Sequence, residues 1–321
     1  MYIQAASCIS PQAGFRENDF PGVPVFPIGE KITLREPDYA AFIDSKLIRR
    51  MSRIIRMGVA TAMDVLQQAA VTMPDAILTG TAYGCLDDTG VFLRKLVENQ
   101  EEMLTPTAFI QSTHNTVGAQ IALMLKCHAY NNTYVQQHFS FESALLDALL
   151  LSHEKPDAVI LAGAADELTS YSHTILKRFG LFRQLAAGEG AAFFLLSAEP
   201  NNNIVSTGPR TRVNGVEFFT GDTTAMDSRM ERLTMKYGQP DLVLTGNAGT
   251  DPLPGVPHYY YKPLCGEFPT ASAFATWMAT RLLDQQGLPE WLPAGDASYL
   301  RRIWIHQSDS TGHHAVILLE K

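Results

Sequence analysis

The chain has 321 residues, 46% of them hydrophobic and 18% charged, with a formal net charge of −8. That is enough for a buried core in one large domain or two fused halves, and the acidic balance argues against a nucleic-acid partner. Cys8, Cys85, Cys127 and Cys265 stand far apart with no Cys-x-x-Cys pair, which argues against a disulfide framework or zinc site and suits a reducing cytoplasm; no apolar run is long enough to span a membrane, and the first residues lack the features of a signal peptide.

In chain order, residues 2–9 read as a short strand, followed by a Pro/Gly-rich loop to about Glu30. Residues 47–70 carry Ile48, Met51, Ile55, Val59 and Ala62 at spacings of three and four, which predicts one helix. A strand is expected at 76–79, a turn at GTAYGC, and helices at 88–101 and 113–127. Residues 133–137 form the next expected strand, and 140–153 a helix with Ala144, Leu145, Ala148 and Leu149 on one face. Strands at 158–162 and 191–196 have the near-continuous apolar character of a sheet buried on both faces. The polar run EPNNN at 199–203 suggests a joint, dividing the chain into 1–199 and 200–321. The second part repeats the theme more briefly, with strands at 213–218, 242–245 and 259–261, helices at 226–237 and 270–286, and a hairpin from 302–307 and 315–319. Alternating strands and helices imply an α/β fold.

Several segments occur in the order seen in the β-ketoacyl synthases, the condensing enzymes of fatty acid and polyketide assembly. RRMSRIIRMGVATAMDVLQQAA resembles the family's first long helix, and DAILTGTAYGCLDDT its strand and glycine turn. TYVQQHFSFESALLDALLL, DAVILAGAA and GEGAAFFLL follow, and GEGAAFFLL is similar to the family's GEGA strand. KPLCGEFPTASA resembles the segment that carries a lysine, then Gly-His, then small residues; STGHHAVILLE resembles the closing glycine loop and last strand. The resemblance implies a thiolase-like, five-layered αβαβα fold of two similar halves with mixed sheets, the C-terminal half being shortened.

A condensing enzyme needs a cysteine at a helix N-terminus, where the dipole and free N–H groups favour thiolate and oxyanion, and two histidines that bind the thioester carbonyl and assist decarboxylation. Aligned on Ala144 and Ala148, the cysteine's place falls on His138; aligned on Val135, it falls on Phe139. The first histidine's place, in TGNAGTD, falls on Gly246 or Ala248. The second becomes Glu267, while Lys262 matches the family lysine. No catalytic residue of the condensing set is therefore expected, and no metal or nucleotide cofactor is implied. The resemblance points to a chain-length-factor-type subunit, as in aryl polyene or flexirubin-like pigment systems. Such a subunit pairs with a cysteine-bearing ketosynthase, or with itself, across the strand at 133–137, while an acyl carrier protein presents the acyl chain. The alternatives are an acyltransferase or hydrolase with a relocated nucleophile, and a homodimeric acyl-binding scaffold.

For a relocated nucleophile the candidates are Ser140, read first as a helix N-cap, and Cys265, read first as a buried neutral thiol. His138 is read as a strand-end residue filling the vacated pocket, and Glu267 as the partner of Lys262. Cys85 and Cys127 are read as structural. His313 and His314, as neighbours on one strand, face opposite sides and cannot easily share a metal ion, so these and His306 are expected on the hairpin surface. Arg49, Arg53 and Arg56, with Arg50 beside them, are expected on one helical face that could receive an acidic carrier protein.

Overall fold

The computed structural model describes residues 1–12, 15–16, 22–183, 185–200, 211–285, 289–292 and 299–321. The first half contains β1 (Tyr2–Ile9), α1 (Ser45–Ile48), α2 (Arg53–Gln68), β2 (Ala76–Gly80), α3 (Leu86–Glu98), α4 (Pro106–Gln111), α5 (Thr116–Leu125), β3 (Tyr130–Tyr134), α6 (Ser140–Glu154), β4 (Ile160–Asp166), α7 (Ser170–Arg178) and β5 (Gly190–Ser197). The second contains β6 (Arg212–Thr220), α8 (Thr223–Tyr237), β7 (Leu242–Thr245), β8 (His258–Tyr260), α9 (Lys262–Cys265), α10 (Ala271–Asp284), β9 (Arg302–Ser308) and β10 (His313–Glu320). The expected joint at 199/200 directly precedes residues 201–210, which lie outside the described residues, as does Gln286 at the end of the expected last helix.

The strands run in the order β3-β2-β4-β5-β1-β6-β10-β9-β7-β8. This is one five-strand pattern used twice, because β8-β7-β9-β10-β6 repeats β3-β2-β4-β5-β1 strand for strand. Each half is mixed: β2 pairs parallel with β3 and β4, and β7 with β8 and β9, while the remaining pairs within each half are antiparallel. The two sheets expected from sequence are joined at one residue pair, Tyr2 with Arg212. Flanking backbone bonds from Ile3 to Thr211 and from Val213 to Met1 hold that seam.

The layering follows from strand alternation. On β5, Ala192, Phe194 and Leu196 enter a central core, while Ala191, Phe193 and Leu195 enter an outer one. The central core holds α6 and α10, each touching strands of both halves. Outside the first sheet lie α2 and α5; outside the second lies α8, whose Met226, Met230 and Leu233 meet Val243, Trp304, Val316 and Leu318. The result is the αβαβα stack. Each buried Phe of β5 contributes about 1.5–3 kcal/mol.

Several expected boundaries are corrected. The helix expected at 47–70 is broken: Asp44 caps α1, Met51 turns into the outer core, and Ser52, extended at φ −66° and ψ 171°, restarts the chain as α2. A tight turn preserves three-residue spacing, so periodicity alone could not reveal the break. The helix expected at 113–127 is α5, preceded by α4, which starts at Pro106. The strand expected at 133–137 is β3, three residues earlier, because an edge strand half in water tolerates the polar sequence YNNTY. Residues Gln137–Phe139 instead make a 3₁₀ turn, with Gln137 at φ 52°. Helices α7 and α9 had no counterpart in the sequence reading.

Candidate functional site

The turn after β3 delivers His138 to the mouth of a cleft of about 630 Å³, in front of α6. Gly246 and Ala248 reach the same cleft from the loop after β7, and Lys262 and Glu267 from the start of α9 and the turn beyond it. These residues, scattered over more than a hundred positions of sequence, line one cleft together with Asn247, Tyr260 and Asp309. Phe139 is not among the lining residues; its ring packs edge-on against Phe218 of β6, 6.2 Å between centroids. A smaller cavity of about 20 Å³ adjoins at His138 and Glu267, between Tyr83, Glu167, Leu176, Phe182 and Phe268. It has room for about one water.

The expected pairing is present: Lys262 Nζ donates to both oxygens of Glu267, at 2.7 and 2.9 Å. Glu267 is held by its backbone, its N–H donating to Ala186 O and its carbonyl accepting from Gly188 N–H. This close approach needs glycine. Gly266 has φ 85°, and a Cβ there would lie 2.6 Å from Gly188 Cα. The pair is largely desolvated, and removing either partner would leave a charge uncompensated.

His138 is half-buried and its Nδ1 has no hydrogen-bond partner. Burial lowers its pKa first and the Lys262 ammonium lowers it further, against the opposing carboxylates of Glu267 and Asp309. The imidazole is therefore neutral near pH 7, able to accept a proton. Ser140 is corrected from N-cap to first helical residue; Phe139 occupies the cap position. The Ser140 hydroxyl accepts from Gln136 N–H at 2.8 Å and donates to Gln137 O at 2.8 Å, so it ties the preceding turn together. Cys265 is fully buried, and burial pushes its thiol far up. Cys8, Cys85 and Cys127 are buried as well.

Where an aligned histidine would stand at position 246, the Gln307 side chain occupies the space. A Cβ on Gly246 would lie 1.9 Å from Gln307 Oε1 and 2.9 Å from the Tyr261 hydroxyl. Tyr261 donates to that same Gln307 oxygen at 3.0 Å. Gln307 was not singled out in the sequence, since a glutamine inside a hydrophobic hairpin strand gives no signal of where it points. Asn247 and Asp309 were also missed. The Asn247 side chain bonds both the N–H and the carbonyl of Ser308, locking the loop after β7 to the hairpin. Against the burial that would raise it, N–H and hydroxyl donors from His313 and Thr311 hold Asp309 down at about 2.

Beneath the cleft, Glu142 lies on the first turn of α6 and is 1% exposed. Neither of its carboxylate oxygens makes a well-formed hydrogen bond, and the Ser272 hydroxyl on α10 is the donor that faces it. Burial raises Glu142 to about 7, despite the nearby Lys262 charge.

The histidine and arginine expectations are corrected. His306 and His314 are buried, not on the surface. Both point to the outer face of the second sheet, where His306 Nε2 and His314 Nδ1 are 3.0 Å apart and His314 stacks on Phe219. Burial lowers His306 to about 3. His313 alone is exposed, and among the described residues no cluster of three ligand-type side chains could hold a metal ion. Arg53 is engaged by Glu36 and Glu189, and Arg56 lies over the Tyr39 ring. Arg49 and Arg50 are exposed but stand before the break, so the four do not form one helical face.

A sequence profile of the β-ketoacyl synthase N-terminal domain matches residues 30–199, more than half of the chain. Among curated protein sequences none matches. Solved structures do. The chain is similar to a type II polyketide synthase acyl-carrier protein–ketosynthase complex bound to the hexaketide (AntDE:AntF), with TM-score 0.75, 14% identity, and 99% of this chain and 98% of that one covered. The ishigamide ketosynthase/chain length factor gives 0.73 at 18% identity, covering 99% and 98%. The ketosynthase ApeO in complex with its chain length factor ApeC, from Xenorhabdus doucetiae, gives 0.68 at 15%, covering 99% and 97%. At these identities the likeness is one of fold. With the sequence profile over most of the first half and the duplicated five-strand pattern converging on one cleft, the chain belongs to the β-ketoacyl synthase family.

Proposed function

We propose that this protein is a noncatalytic, chain-length-factor-type subunit that pairs with a cysteine-bearing ketosynthase in fatty acid or polyketide assembly, with pigment biosynthesis as the setting and the cytoplasm as the location. The observation that carries this reading is the content of the cleft. Its aligned positions hold a neutral imidazole, a glycine, an alanine and a Lys262–Glu267 ion pair, and no thiol lines it. An imidazole without an adjacent nucleophile has no covalent step to assist.

The fold neighbours that contain chain length factors bound to ketosynthases support the partner assignment. The exposed edge strand β3 supports it too, since burying an unpaired edge removes a liability. The relocated-nucleophile reading is disfavoured by the buried thiol of Cys265 and the doubly bonded hydroxyl of Ser140. A homodimeric acyl-binding scaffold is the remaining alternative.

The test is co-expression with candidate ketosynthases, followed by sedimentation and intact-mass analysis of both chains after exposure to an acyl carrier thioester. The expected result is a heterodimer in which only the ketosynthase is acylated. A stable monomer that binds no ketosynthase, or acyl loading on this chain, overturns the reading.

A further inference from the structure

Two carboxylates and one ammonium meet at and beneath the cleft floor. Lys262 starts α9 and is buried, and its ammonium bonds both oxygens of Glu267. Glu142, on the first turn of α6, lies close enough to feel the same ammonium. The two carboxylates differ in their access to water. Glu267 lines the open cleft, so it can be hydrated when its partner leaves. Glu142 lines neither the cleft nor the small cavity, so once ionised it depends on a protein partner.

The elements packed around Glu142 decide which partner that is. From α10 it faces the Ser272 hydroxyl, and just before α9 it lies near the Tyr261 hydroxyl, whose pKa burial holds well above its usual value. Strands β2, β4 and β6 turn apolar side chains such as Leu78, Ala162 and Val216 into the same layer, and Tyr134 of β3 interacts with Asp147 instead. Among the described residues, Lys262 is the cation that an ionised Glu142 meets.

We propose that Lys262 is a two-position switch: with Glu142 protonated its ammonium binds Glu267, and with Glu142 ionised it turns inward to Glu142 and releases Glu267 into the cleft. The movement is a rotation of the flexible lysine stem, which carries three N–H donors on one charge. Burial places the change near neutral pH, since it raises Glu142 to about 7. Below that value Glu142 is neutral and the Lys262–Glu267 pair stands; above it Glu142 carries a charge that the ammonium compensates. The cleft then gains a free carboxylate facing His138, and the ammonium withdraws from the imidazole. The switch is built from this chain's own side chains and holds whichever partner the chain takes.

Urea midpoints of the full chain test this in a double-mutant cycle, run at about pH 5.5 and about pH 8.5. Glu267→Gln is expected to lower the midpoint by on the order of 1 M at the lower pH, where Lys262 is left facing a neutral Glu142. At the higher pH the loss is expected to be no more than about half as large, because Glu142 takes over the ammonium. With Glu142→Gln already present, Glu267→Gln is expected to cost the same at both pH values. An equal loss at both pH values in the otherwise unaltered chain overturns the proposal, and so does a pH dependence that survives Glu142→Gln. A second measurement does not require the Glu267 variant to fold. In protein carrying isotope-labelled histidine, the His138 ring resonances, assigned with His138→Gln, are expected to shift with a midpoint near pH 7. Glu142→Gln is expected to abolish that step. Absence of the step, or a step that Glu142→Gln leaves in place, also overturns the proposal.

Discussion

Lys262 lies near two carboxylates, and its ammonium hydrogen-bonds one of them, Glu267. Glu142, deeper in the central layer, keeps a pKa of about 7 against an ordinary 4.5. A carboxyl whose folded pKa is raised contributes fully below its unfolded value and loses that contribution as pH rises through its folded value. Stability should therefore fall between about pH 4.5 and 7, and Glu167, also raised to about 7 by burial, acts in the same direction. Glu142→Gln is expected to stabilise the protein by on the order of 3 kcal/mol at pH 8 and by almost nothing near pH 4.5. Urea midpoints at the two pH values check this, and equal midpoints at pH 8 would contradict it. At Gly246 the argument is steric. Gly246→Ala is expected to cost about 1–3 kcal/mol because Gln307 has to move. Adding Gln307→Ala should recover part of that loss, a coupling that a double-mutant cycle measures. By the same reasoning, a histidine at 246 does not rebuild a condensing site.

Under the proposed pairing strand β3 is the associating edge, and its hydrogen-bond directions sharpen the choice of probe. The carbonyl of Tyr134 accepts from Thr81 N–H, so Tyr134 faces inward to β2. In a parallel pair the N–H and C=O of one residue point to the same side and alternate along the strand. Thr133 therefore presents its N–H to the open edge, where the Asn132 side chain accepts it at 2.9 Å. Thr133→Pro is expected to weaken association with the fold intact, whereas Tyr134→Pro should also lower the melting temperature. Sedimentation and thermal unfolding on both variants separate these outcomes; equal melting losses would show the assigned directions to be wrong. The hairpin of β9 and β10 shows the complementary case. His306 and His314 are accommodated inside it because each imidazole serves as the other's partner.

For the molecule as a whole, α6 and α10 are shared by both sheets, so the halves fold around a common core in which Trp277 is fully buried. Trp277→Ala is expected to cost about 3–5 kcal/mol and to destabilise both halves together. Calorimetry showing two separate transitions would contradict a shared core. The purified protein alone is expected neither to load an acyl group nor to condense malonyl-carrier protein with a primer, as read by intact mass and product analysis. His138→Cys is expected to leave it inactive, because a thiol alone supplies neither histidine donor, each contributing about 10²-fold or more.

The order of motifs and the burial periodicity of the strands were legible in the sequence, because both are local. GEGAAFFLL and DAVILAGAA announce strands buried on both faces whatever surrounds them, and the spacing of Ala144 and Ala148 fixes where α6 presents its start. Of the positions named from that motif order, His138, Gly246, Ala248, Lys262 and Glu267 line one cleft, and Phe139 does not. What the sequence could not decide was which side chains share space. The break between α1 and α2 kept the helical spacing, so Arg53 and Arg56 were grouped with Arg49 and Arg50 although their partners, Glu36, Glu189 and Tyr39, set them apart. Edge exposure let β3 be polar. The burial of His306 and His314, the isolation of Glu142 and the filling of position 246 by Gln307 each arise where elements far apart in sequence meet. Such contacts depend on the packing of two sheets about one helical layer, a geometry that local pattern does not encode.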